Sequence, residues 1–288
     1  MTATISRPET LEEFDRALDE LLIGIASRAV EREQSHTLLY EEVRALQAIG
    51  FGSVRLPVEW GGLGLSFEQL IERLILVASA DSNLAHLYRG HIAVVEEIVA
   101  GYDDDEANRE AWIQRIARGE FVGNAQSEKQ ETGDITTRIE REGDSILLTG
   151  SKYYTTGSIY ADWIRLAALD GETRVGVTVS TRDPGVQSID DWDGFGQPLT
   201  GTGTTTFDRV VVDPADIIVS GENPARGNHI ASVFQLILLA AAAGIGRAAL
   251  RDAIEFVRPR RRIFGFPGET PPREDTLVQE TIGSVSAR

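Results

Sequence analysis

The sequence predicts an α+β fold: an N-terminal all-α domain, a middle β-barrel or sandwich domain, and a C-terminal helical bundle that is incomplete. Three observations predict it. Apolar residues recur at helix spacing from Leu11 to Arg118, strand signals replace them from Phe121 to about Ser220, and helix spacing returns after Gly227. The boundaries read as 1–120, 121–222 and 223–288.

The first helix is carried by Leu11, Phe14, Leu18, Leu21, Leu22 and Ile25, with Glu, Asp and Arg on the opposite face. A second runs from about Leu38 to Ile49 and stops near Gly50 and Gly52. The loop Leu56-Pro57-Val58-Glu59-Trp60-Gly61-Gly62-Leu63-Gly64 follows, in which Pro and Gly block regular structure. Ser66 and Gln69 have capping-box spacing for a third helix that turns Ile71, Leu74, Ile75 and Ala78 inward. One continuous helix is expected from Leu84 to Ala100. The acidic run Asp103 to Glu106 suits the start of another, ending near Gly119.

In the middle segment, turns are signalled at Glu142-Gly143-Asp144, Asp170-Gly171 and Asp183-Pro184-Gly185. Thr173 to Val179 alternates at period two, and Thr204 to Val212 is rich in β-branched residues. A long helix is expected from about His229 to Val257, ending at Pro259. The apolar run Ile230 to Ile245 inside it is shorter than a span of ~20 residues, so a buried helix is expected rather than a membrane segment. Thr276 to Arg288 breaks off in mid-pattern with no cap, which is why the bundle is read as incomplete.

Bulk properties exclude several classes. The 288 residues carry a net charge of −17, which argues against a phosphate backbone or an anionic membrane surface as partner. There is no cysteine, so disulfides, thiolate nucleophiles and cysteine metal sites are excluded, and a cytoplasmic location is expected. His86 and His91 are five apart, a poor spacing for joint metal binding, and no metal is expected. Gly244-Ile245-Gly246-Arg247-Ala248-Ala249 has dinucleotide-fingerprint spacing but sits inside a helix, where small residues allow close helix packing. No Gly-x-Ser-x-Gly elbow is present.

Several stretches fall in an order that resembles the acyl-CoA dehydrogenase superfamily. They are the Pro57 to Gly64 loop, the turn Ala80-Asp81-Ser82-Asn83, the segment Phe121 to Glu128, and Gly150-Ser151-Lys152-Tyr153-Tyr154-Thr155-Thr156. Two more complete the series: Phe195-Gly196-Gln197-Pro198 with Thr204 to Asp208, and Arg261-x-x-Phe264-Gly265. The resemblance implies a flavin site walled by the β-domain. Asn124 and Ser158 look more like the branch that uses reduced flavin and oxygen, typified by dibenzothiophene monooxygenase.

That resemblance implies the roles of the candidate residues. Asn124 would donate to the flavin and to activated oxygen; alternatively it is a strand asparagine satisfied by backbone. Ser158 would bond the reactive edge of the ring; alternatively it is a turn serine. His91 would position substrate or a proton, against a structural histidine on an apolar face. Trp192 would wall the ring, against a tryptophan capping the barrel. Gln126, Thr156 and Phe264 complete the cofactor set. Arg261 would meet the flavin phosphate, by resemblance in a neighbouring subunit, against a solvated helix end.

The function implied is a flavin-dependent oxidoreductase, FMN more than FAD. It would be a monooxygenase taking reduced FMN from a separate flavin reductase, with molecular oxygen and a small, possibly sulfur-containing substrate, in a homo-oligomer (tetramer or dimer). One alternative is an FAD-dependent acyl-CoA dehydrogenase, echoed by Ser127-Glu128 and Thr132-Gly133-Asp134. A second is an inactive truncated homologue acting as a binding partner.

Overall fold

The protein is described by a computed structural model that covers residues 7–102, 105–129, 134–219, 223–261 and 271–287. Phe264 and Gly265 of the Arg-x-x-Phe-Gly motif, and Thr132 and Gly133 of the dehydrogenase echo, lie outside the described residues.

The N-terminal region stacks α1 (Leu11–Ser35), α2 (Tyr40–Ala48), α3 (Phe67–Ala80), α4 (Ser82–Leu87), α5 (Arg89–Val99) and α6 (Glu106–Ala117). Thr10 with Glu13, and Ser66 with Gln69, form complete capping boxes at α1 and α3. Phe14, Leu18, Leu39, Leu46, Leu70, Leu74 and Leu84 meet in one core, each contributing about 1.5–3 kcal/mol by leaving water. The helix expected from Leu84 to Ala100 is divided. Asp81 caps α4, Tyr88 breaks the ladder, and α5 restarts at Arg89. The division places His86 and His91 on different helices.

The middle region forms one mixed sheet of β1 (Val122–Ala125), β2 (Arg138–Glu142), β3 (Ser145–Lys152), β4 (Trp163–Asp170), β5 (Thr173–Ser180), β6 (Val186–Ser188), β7 (Thr205–Val211) and β8 (Ile217–Val219). Strand order is β6-β7-β3-β2-β4-β5-β8, and β1 also pairs in parallel with β4, ahead of β2 on the same strand. Side chains of β7 (Phe207, Val210) and β5 (Val175, Val177) share one core although three strands separate them, so the sheet curls over on itself. Gly143 and Gly171, at φ 60°, make the β2–β3 and β4–β5 turns that the sequence signals.

The chain then enters α7 (Pro224–Val257) and, later, α8 (Thr276–Ser286). Helix α7 begins ahead of its expected start because Asn223 caps it and Pro224 suits its first turn. Gly244 lies so close to α3 that a Cβ there would stand 2.4 Å from the Ala78 Cβ, the small-residue packing expected of the Gly-x-Gly run. By length and composition α7 could cross a membrane, yet one face (Val233, Ile237, Ala240, Ala241) is packed into the protein. The expected full burial does not occur: Leu236, Leu239, Ile245 and Phe256 on its other face are exposed.

Candidate functional site

Where α4, α5 and α7 meet the sheet, two cavities lie side by side. One, of about 360 Å³, is walled by His86, Arg89, Thr156, Trp192 and Gln197 among others. The other, of about 550 Å³, runs along α5, the start of α7 and strands β4, β5 and β8. Asn124, Gln126 and Phe234 line both, so they form the partition between them.

Strand β1 delivers Asn124 and Gln126 to this partition. The Asn124 backbone N–H donates to the Thr156 carbonyl at 3.1 Å, tying β1 to the Thr155–Ser158 turn. From the other side α5 presses in at Gly90, where an added Cβ would stand 2.4 Å from the Asn124 Cβ. Any larger residue at 90 displaces Asn124. The Gln126 amide donates to the Arg165 carbonyl at 3.3 Å.

The turn after β3 is held by buried polar contacts. Lys152, itself buried, pairs with Glu128 at 2.7 Å. The same carboxylate accepts from the hydroxyls and backbone N–H groups of Thr136 and Thr137, and these donors hold it down to a pKa of about 2 against the opposing effect of burial. Glu128 therefore anchors the segment after β1 and does not line either cavity. The Thr156 hydroxyl faces Thr202 at 2.9 Å in the wall of the smaller cavity.

The loop before β7 closes the smaller cavity from above. Trp192 packs against Tyr153 and Tyr154, with ring centroids 6.2 Å from each, and its indole N–H donates to the Gly196 carbonyl. Gln197 takes up a left-handed backbone, φ 54°, which a non-glycine residue adopts only under constraint. Its amide donates to Ser82 Oγ at 2.8 Å and its carbonyl oxygen lies 3.2 Å from His86 Nδ1. Asn83 accepts from the Leu199 N–H, so the Ala80–Asn83 turn ties α4 to this loop.

The two histidines differ in place. His91 is buried among Tyr88 and Phe121; its Nε2 donates to the Gly52 carbonyl at 2.8 Å and its Nδ1 accepts from the Val122 N–H at 3.2 Å. Burial pushes its pKa down to about 4, so it is neutral, and it lines neither large cavity. It braces β1 from behind and cannot touch a ligand there. His86, which sequence reasoning passed over, faces the smaller cavity. The Gln197 oxygen can only accept, so Nδ1 carries the proton and Nε2 is left basic; burial, chiefly, lowers the pKa. Arg89 was also missed: its guanidinium lies 4.5 Å from the Phe234 ring centre and is partly desolvated in the same cavity.

Ser158 is not brought into the cavity wall. It lies behind β1, where a Cβ at Gly123 would stand 3.0 Å from its Oγ, and that hydroxyl is buried without a hydrogen-bond partner. Arg261 is exposed just past α7 and lines neither cavity. Among the described residues no cluster of three or more His, Cys, Asp or Glu could hold a metal.

Residues 9–120 match the family profile of the acyl-CoA dehydrogenase N-terminal domain. The likeness to solved structures extends well beyond that segment. The crystal structure of FMN-bound TdsC from Paenibacillus sp. A11-2 superposes with a TM-score of 0.84 at 27% identity, covering 94% of this chain and 72% of that one. A dibenzothiophene monooxygenase of Rhodococcus erythropolis is 27% identical over 275 residues, 90% of this chain and 65% of the relative. An L-evernosamine nitrososynthase of Micromonospora sp. (strain ATCC 39149 / NRRL 15099 / SCC 1413) is 28% identical over 263 residues, 85% of this chain and 62% of the relative. The chain thus spans just under two thirds of the length of the curated relatives it matches.

Proposed function

We propose that this chain is a flavin-dependent monooxygenase that binds FMN in the smaller cavity and a small organic substrate in the larger one. The observation that carries this reading is the shared partition: Asn124, Gln126 and Phe234 belong to both cavities, so two ligands would meet across them. The donor set suits a flavin. The pyrimidine edge of the ring alternates donors and acceptors, and the smaller cavity offers amides (Asn124, Gln126, Gln197), hydroxyls (Thr156, Thr200, Thr202) and the flat Trp192. Its volume, about 360 Å³, is within the range of small-molecule sites. FMN binding to the TdsC relative supports the choice of flavin.

When bound, reduced FMN with O₂ supplies one oxygen atom to the substrate, the other leaving as water and the flavin returning oxidised. The chain's share is placement and proton handling. Asn124 and Gln126 orient ligands at the partition, and Arg89 supplies positive charge to an electron-rich ring. Neutral His86, held by Gln197, has Nε2 as the base that accepts or returns a proton. Trp192 and Tyr154 cover the site against water. Dibenzothiophene is the sulfur compound named for one relative, which favours sulfur as the oxygenated atom, and the nitrososynthase makes nitrogen the competing choice.

The reduced flavin would come from a separate reductase, and the enzyme would be soluble and cytoplasmic. The exposed apolar face of α7, with Leu277 and Val285 on α8, supports a homo-oligomer, and Arg261 would serve the cofactor of a neighbouring copy. Light scattering of the purified chain reads the first point: a monomer would contradict it. The function itself is tested by mixing the chain with reduced FMN, ¹⁸O₂ and a thioether. A sulfoxide carrying one ¹⁸O is expected. Reduction of co-purified FAD by an acyl-CoA thioester, with no oxygen transfer, would instead establish a dehydrogenase.

A further inference from the structure

The larger cavity holds a charge pattern that oxygen transfer by itself does not require. In a chain of net charge −17, its wall contains Arg165, Arg174 and Arg226 against a single carboxylate, Glu97. Glu97 stands between two of these arginines, 2.6 Å from Arg165 Nη1 and 2.9 Å from Arg226 Nη2. One carboxylate balances one guanidinium, so the wall keeps two positive charges in surplus. The next acid, Asp216, interacts with Arg165 but is held by the Trp112 indole N–H and faces Arg115 as its own counter-ion.

These guanidiniums are not freely solvated. The side chains of Arg165 and Arg226 are 13% and 19% exposed, and Thr178 Oγ1 accepts from Arg165 Nε at 2.6 Å, fixing its fork. Of the two surplus charges, the one that Glu97 leaves unbalanced between Arg165 and Arg226 lies in this largely desolvated part of the wall. It is unfavourable there until an anion enters, and a fixed fork suits the paired oxygens of an oxyacid. Val94, Ile218, Ile230 and Phe234 form an apolar side of the cavity leading to the partition at Asn124, while Asn223 and Asn228 add amides to its wall.

We infer that the substrate is a small organic anion, a carboxylate or sulfonate on a short apolar body. Arg165 and Arg226 hold its acid group, and the exposed Arg174 draws it in. This rests on the reading of the larger cavity as the substrate site. The acid end fixes the pose, and the apolar end presents the atom to be oxygenated at the partition.

Matched probes test it on the full chain by isothermal titration: thiophene-2-carboxylate, thiophene-2-sulfonate and neutral thiophene-2-carboxamide. Both anions are expected to bind at least roughly tenfold tighter than the amide, the scale of a charge-assisted hydrogen bond. Arg226→Gln should remove most of that preference. Arg174→Gln, at an exposed position where folding is not at risk, should reduce it and its salt dependence. Glu97→Gln should raise it, because both arginines are then unbalanced. Equal binding of the amide and the anions to the wild-type chain would overturn the inference. So would arginine variants that keep the anion preference but lose affinity for FMN relative to riboflavin, since the arginines would then hold the cofactor's phosphate. If the wild-type chain discriminates anions but binds no flavin, the flavin reading fails and this one stands. If it binds flavin without discriminating anions, the reverse holds.

Discussion

His86 and His91 stand five residues apart in what reads as one continuous helix, and the fold puts them to opposite uses. His91 has both ring nitrogens bonded to backbone and is enclosed by Tyr88 and Phe121. His86 has one nitrogen held by Gln197 and faces a cavity. Both are kept neutral by burial, so the protonation state does not distinguish them. What distinguishes them is which atoms surround the second nitrogen. A histidine with both nitrogens committed to backbone can hold a strand in place; one with a nitrogen left over can handle a proton.

The comparison is broken most severely if substitution at the two positions has the same consequence. His86→Gln is expected to lower turnover about 10²–10⁴-fold, the usual worth of a general acid–base group, with stability within roughly 0.5 kcal/mol of wild type. A steady-state assay beside a thermal melt checks both. An active variant, or one that melts far below wild type, would remove His86 from its proposed role.

His91→Ala should do the converse. Loss of a buried ring and two hydrogen bonds costs about 3–4 kcal/mol, read by chemical denaturation. The acid side sharpens this. Burial holds folded His91 at a pKa of about 4, against 6.5 for an ordinary imidazole, so as pH falls the unfolded chain takes up the proton first. Its contribution is therefore intact above pH 6.5 and is lost between 6.5 and about 4, to the extent of roughly 3 kcal/mol. His91→Gln should flatten the stability profile in that window while leaving the lower one, set by Glu128 with a pKa of about 2, unchanged. Identical profiles for the two proteins would contradict the assignment.

Gly90 tests the placement of Asn124 from the helix side. Its Cβ position lies 2.4 Å from the Asn124 Cβ, so Gly90→Ala forces the strand to shift at a cost of about 1–3 kcal/mol. FMN affinity should fall with it in a binding titration. The smallest effect is expected at Ser158. Because its hydroxyl is unpaired and lies outside the cavity wall, Ser158→Ala should leave stability equal or slightly higher and FMN affinity within about twofold. A large loss of affinity would place Ser158 against the flavin after all.

Much of the fold was legible because its signals are local. Ser66 caps where its spacing says, Gly143 and Gly171 turn the hairpins, and the 3.6 and 2.0 periodicities separate helix from strand. Of the residues singled out in the sequence, Asn124, Gln126, Thr156 and Trp192 are brought to the wall of one cavity. His86 depends on Gln197, 111 positions away, and on a helix break at Tyr88 that no proline or glycine announces. The arginines of the larger cavity come from β4, β5 and α7 and meet only through the fold. Ser158 shows the converse: the right spacing from Asn124 did not guarantee that the two side chains would face the same way.

The central claim is that the smaller cavity, with Asn124 in its wall, is a flavin site. The most direct test is a titration of the purified chain with FMN, followed by quenching of flavin fluorescence, for wild type and Asn124→Ala. Saturable one-to-one binding is expected in wild type, weakened roughly tenfold in the variant, as loss of one hydrogen bond to the ring requires. Absence of saturable binding, or identical curves for the two proteins, would contradict the account.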